Sequence, residues 1–209
     1  MTAPSRRLSR DNALAGACFI LGGSLFAAGA FLAQNGVDLT TVSITYLVGG
    51  VFFSLGGWLS IVITQAPSRA RRSAVVLFVG TLFFAVSLVA AFASGFTPRQ
   101  SNGWIWLPDM TGCVCFLASG HLAMLDVGAG RVVVRPRELG WWIVVVNQLG
   151  SVLFFLAGIA SFVRPATSEA INVGLINWGT FAGALCFAIA GIIQLGGGLR
   201  DLRRAPIDR

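Results

Sequence analysis

The chain has 209 residues, 56% hydrophobic and only 11% charged, with a mean hydropathy of +0.80. A soluble domain carries roughly twice that charge, so a water-soluble globule is excluded. The net charge of +7 sits mainly in short segments between apolar stretches, which argues for membrane topology rather than nucleic-acid binding.

Six apolar stretches follow in chain order, each long enough to cross a ~30 Å hydrocarbon core. The first covers about 12–33 and contains Gly22 and Phe26. It is too long for the apolar region of a signal peptide and opens directly into the next stretch. The second, 43–64, carries Gly49, Phe53 and Gly57. The third, 73–94, carries Gly80 and Phe84. The fourth, 106–127, carries Gly112, Phe116 and Gly120. Ahead of it, Trp104 and Trp106 suit the head-group interface. Pro108 and Asp109 read as its first turn, where proline loses no hydrogen bond and a carboxylate meets the positive end of the helix. The fifth, 140–163, carries Gly150, Phe154 and Gly158, with Asn147 and Gln148 one turn earlier. The sixth, 175–198, carries Gly183, Phe187 and Gly191 and ends at Gly196-Gly197-Gly198, read as a flexible exit.

Gly-x-x-x-Phe-x-x-x-Gly therefore occurs in the second, fourth and sixth stretches, and Gly-x-x-x-Phe in the first, third and fifth, the fifth adding Gly158 at the next step. The spacing predicts an all-α polytopic membrane protein: six transmembrane helices forming three tandem parallel two-helix hairpins, at about 12–64, 73–127 and 140–198, in a single membrane domain. Three parallel pairs would close around a pseudo-threefold axis. All fifteen basic residues are arginine, and thirteen lie at the N-terminus, around 69–72, around 131–137 and at the C-terminus. Short arginine-rich segments stay cytoplasmic. Both termini are thus expected in the cytoplasm of a bacterium, with the chain in its inner membrane. The arginines then face anionic lipid head groups.

Residues four apart share a helix face. The glycines and phenylalanines therefore form small-residue stripes for close helix packing, since association in lipid relies on fit rather than on a hydrophobic gain. His121, Asn147 and Gln148 are expected at one depth, as an intramembrane polar cluster in which His121 and Asn147 meet. Cys18, Cys113, Cys115 and Cys186 read as small buried hydrophobes. No nucleophile–base pair, phosphate-binding loop or metal spacing stands out, so no catalysis and no cofactor is expected.

At these positions the chain resembles the YrhK-like family of small bacterial membrane proteins. The likeness is best over 140–198: Trp141-Trp142, Asn147-Gln148-Leu149-Gly150-Ser151, Phe154-Phe155, Asn177-Trp178-Gly179 and Gly183-Ala184-Leu185-Cys186-Phe187. Trp106-Leu107-Pro108-Asp109 with Gly112-Cys113-Val114-Cys115-Phe116-Leu117 extends it, and the first hairpin matches more loosely. The resemblance implies a hairpin fold and a membrane location, and no activity. The reading it leaves is a non-catalytic accessory subunit docking its small-residue faces onto other membrane proteins, such as a transporter complex. The alternative is a small carrier or channel with its path along the pseudo-threefold axis.

Overall fold

In the computed structural model, residues 5–205 are described; Asp208 and Arg209, part of the arginine-rich C-terminus, lie outside them. Six helices are long and apolar enough to cross a membrane: α1 (Arg6–Gln34), α2 (Leu39–Ile63), α3 (Arg69–Ala90), α4 (Pro98–Val127), α5 (Leu139–Ala160) and α6 (Val173–Arg204). Among the described residues the only β pairing is one isolated bridge, Val163 with Ala170.

Local chemistry sets most helix starts. Ser5, Asp38, Ser68, Thr97 and Asn172 each cap a helix by accepting a hydrogen bond from a backbone N–H three residues on, which satisfies a donor the helix cannot. Arg71 Nη1 donates to the carbonyls of Ile61 (3.0 Å) and Thr64 (3.1 Å), so the start of α3 closes the end of α2.

Two boundaries differ from the sequence expectation. α4 begins at Pro98, not at Pro108, because Thr97 and Gln100 form a capping box around it. Pro108 lies inside the continuing helix, just after a π-helical stretch at Asn102–Trp106. A proline inside a helix clashes with the carbonyl four residues back, and the wider π turn gives it room. Asn102 and Trp106 fasten this stretch to the end of α5: Asn102 bonds both backbone groups of Val163, and Trp106 Nε1 donates to the Gly158 carbonyl at 2.9 Å. α6 likewise runs through Gly196-Gly197-Gly198 to Arg204. It stays helical because Gly198 packs on Ala13: a methyl at Gly198 would sit 2.8 Å from Ala13 N.

Each helix packs on its neighbours in sequence, and α6 returns to α1, so the six close into a ring. Rising numbers on one helix meet falling numbers on the next. Along α1 and α2, for example, Phe19 meets Gly56, Gly22 meets Phe53, and Gly29 meets Tyr46. Neighbours therefore run antiparallel. One face of the ring holds the ends of α1 and α6 with the connections at 64–68 and 128–138; this is called the terminal face. The far face holds the connections at 35–38, 91–97 and 161–172.

The glycines explain how closely the helices approach. In α1/α2, a methyl at Gly22 would lie 2.7 Å from the Phe53 ring, and one at Gly49 would lie 2.8 Å from the Phe26 ring. The exchange is reciprocal, each phenylalanine filling the notch left by the other helix's glycine. In α3/α4 it is Gly80 with Phe116 (2.8 Å) and Gly112 with Phe84 (2.8 Å). In α5/α6 it is Gly150 with Phe187 (3.1 Å) and Gly183 with Phe154 (2.5 Å). In α2, α4 and α6 the second glycine of the longer pattern faces the helix pair that follows, whereas Gly158 of α5 faces Met110 and Asp109 of α4. Gly57 lies against Phe78, Gly120 against the Gln148 side chain, and Gly191 against the Gly16 carbonyl.

The α1/α6 seam is backbone on backbone. Methyls at Gly16, Gly23 and Gly191 would fall 2.7–2.8 Å from main-chain atoms of the facing helix. Polar bonds pin it near both ends: Gln194 Nε2 donates to Asn12 Oδ1 (3.0 Å), and Asn177 Nδ2 donates to Gln34 Oε1 (3.1 Å). In α3/α4, Ser73 and Ser119 each donate to the other's carbonyl at 2.9 Å. Ser119→Ala removes one of these bonds, and we expect a loss of about 1 kcal/mol, measured as a lower melting temperature in detergent. An unchanged melt would show that the pair adds nothing to stability.

Candidate functional site

One phenylalanine of the repeated pattern comes from each helix, and all six meet on the ring's axis. Phe53, Phe116 and Phe187 form a closed triangle, with centroids 5.4–6.3 Å apart. Phe26, Phe84 and Phe154 form a second tier, joined through Phe154 at 6.1 and 6.2 Å. Pairs linking the tiers lie at 5.0–5.4 Å. All six are buried. Edge-to-face and tilted rings at these separations attract one another beyond simple burial. A void of about 10 Å³ lies in this plug beside Phe26, Phe84, Gly50 and Thr81; it has room for about one water.

A cavity lies on each side of the plug. The terminal-face cavity, about 340 Å³, takes wall residues from all six helices. Phe116 and Phe187 close its inner end, and Asn12, Ser60, Asn147 and Gln194 are among its polar groups. Asp126 stands at its rim, where its carboxylate accepts from the Ala70 N–H at 3.2 Å and so caps α3.

The far-face cavity, about 220 Å³, is also walled by all six helices, with Phe26, Phe84 and Phe154 as its floor. Tyr46, Asp109 and Thr180 line it. Each stands three residues before the first glycine of its pattern, Gly49, Gly112 or Gly183. That shared offset puts one side chain from each of α2, α4 and α6 into the same chamber. Asp109 makes no hydrogen bond and no ion pair among the described residues, and it opens onto the cavity. Gly158 makes room for it: a methyl there would sit 3.3 Å from Asp109 Oδ2 and 2.7 Å from Met110 Sδ. Among the described residues no arginine lines either cavity.

The polar cluster expected from His121, Asn147 and Gln148 does not form. Asn147 faces the terminal cavity. His121 is exposed on the outside of the ring, and no hydrogen bond joins it to the other two. Its position one residue past Gly120 turns it ~100° off the packed stripe. Gln148 instead fills the notch at Gly120, its Nε2 3.5 Å from the Leu117 carbonyl, while its Oε1 is buried without a partner. Cys113 is buried at 1% exposure, and the other three cysteines are part-buried; all four thiols are free.

Asp109, Tyr46 and Thr180 escape a reading based on hydropathy. Asp109 looks like the mouth of a helix only if that helix starts at Pro108. The Thr97-Pro98-Arg99-Gln100 capping signature places the start ten residues earlier and carries Asp109 into the bundle. Compared with known proteins, the chain matches no family model, no curated sequence and no solved structure.

Proposed function

We propose that the chain is a small membrane carrier whose path follows the axis of three tandem, parallel two-helix hairpins, with the six phenylalanines as its closed gate. The observation that carries this reading is the pair of chambers, each walled by all six helices, on either side of one plug. Binding sites near the axis between repeated units suit alternating access, and apolar constrictions suit gating. The three reciprocal glycine–phenylalanine exchanges support the repeat. The arginine distribution supports a bacterial inner-membrane location with a cytoplasmic terminal face, beside anionic head groups. Membership of the YrhK-like family remains part of the proposal, resting on the residues that carry the resemblance.

The accessory-subunit reading comes second. Its docking faces were to be the glycine stripes, and Gly49, Gly57, Gly112, Gly120, Gly150, Gly158, Gly183 and Gly191 all face this chain's own helices.

Cysteine accessibility tests the path. With the four native cysteines replaced, Thr180→Cys should react with an impermeant maleimide added outside intact cells. Ser60→Cys should react only when the reagent reaches the cytoplasmic side. If neither reacted from either side, the axial chambers would not be solvent-connected and the carrier reading would fail. Reversed sidedness would overturn the topology alone.

A further inference from the structure

We infer that the far-face cavity binds a small organic cation, an alkylated ammonium, between the Asp109 carboxylate and the rings of Tyr46, Phe26, Phe84 and Phe154. This ligand deepens the axial-path reading and rests on it. A carboxylate inside a membrane helix is costly unless a partner pairs with it. Among the described residues Asp109 makes no ion pair and no hydrogen bond, and it faces the chamber beside Gly158, where a methyl would touch its Oδ2. The chamber is therefore arranged to receive a positive partner rather than to supply one.

The other walls choose among cations. Aromatic faces carry partial negative charge and attract ammonium groups, most strongly where water is excluded. Four aromatic side chains line this small chamber, three of them as its floor. A bare divalent ion needs six to eight oxygens at fixed distances. Here one carboxylate, one phenol and a few hydroxyls, among them Thr180, share the walls with apolar side chains. An anion finds no arginine there. An ammonium bearing alkyl groups satisfies both kinds of surface, its charge against Asp109 and its carbons against the rings. The volume of about 220 Å³ limits it to a compact molecule.

Binding is measured by titration calorimetry on the full chain in lipid nanodiscs, with tetramethylammonium chloride as the probe and sodium chloride holding ionic strength constant. Saturable binding is expected for the wild type. Asp109→Asn should weaken it by about tenfold or more, the loss of one charge-assisted contact, and Tyr46→Leu should weaken it severalfold. Ile192→Leu, on the lipid-facing surface, should leave it unchanged. Should Asp109→Asn fail to fold, Tyr46→Leu still decides. No saturable binding to folded wild type, or affinity unaltered in either cavity variant, overturns the site. Binding without any tetramethylammonium flux into proteoliposomes keeps the site and rejects carriage. Flux of other solutes without binding rejects the cation assignment and keeps the path.

Discussion

Phe187→Ala combined with Phe53→Ala should make the protein leak. Phe187 packs against Phe53, Phe116 and Phe154, at centroid distances of 5.3–5.6 Å, so it holds both tiers of the plug together. Removing two of the three rings of the closed triangle opens the space between the chambers and gives water a continuous column. An apolar constriction blocks ions by excluding water, and the block ends once the column fills. Proteoliposomes holding a pH-sensitive dye should then lose an imposed proton gradient at least about tenfold faster than those with wild type. Equal leak rates, with the variant folded and correctly inserted, would mean that the phenylalanines seal nothing. Truncating exposed Phe31, which lies away from the axis, is the control.

Gly183→Leu should abolish folded protein, and Ile192→Leu should change almost nothing. A methyl at Gly183 would already fall 2.5 Å from the Phe154 ring and 3.0 Å from the Gly150 carbonyl. A leucine must therefore drive α6 away from α5 and dislodge Phe154 from the plug. Overpacking on this scale costs about 3 kcal/mol or more, enough to unfold a marginal bundle. Ile192 is 58% exposed on the outer surface, where apolar exchanges leave packing untouched. Size-exclusion profiles and melting curves in mild detergent read the difference. Comparable loss at both sites would refute notch packing as the basis of the fold.

Spacing made much of this architecture legible. Gly49, Phe53 and Gly57 recur with the same separations in α4 and α6, and those separations match the distance between helix turns. What spacing did not convey was direction around the helix. His121 lies at the depth of Asn147 but points out of the ring, because one residue of offset on a helix is a quarter turn. The α1/α6 seam was also unread: Gly16, Gly23 and Gly198 lie outside the phenylalanine pattern, and only the closed ring gives them a partner. Asp109 was hidden by its proline. Helix-breaking chemistry ordinarily marks a boundary, and here a π turn absorbs it within an unbroken helix.

Tyr46, Asp109 and Thr180 each stand three residues before Gly49, Gly112 or Gly183 and share one chamber. Were the ring assembled from three separate identical subunits, one gene would dictate all three places at once. Three aspartates facing one small chamber would repel each other and draw in protons rather than a ligand. In a single polypeptide each place can differ from the others. The result is a pocket with a carboxyl wall, a phenolic wall and a hydroxyl wall, three different chemistries set among the reciprocal glycine–phenylalanine contacts around it.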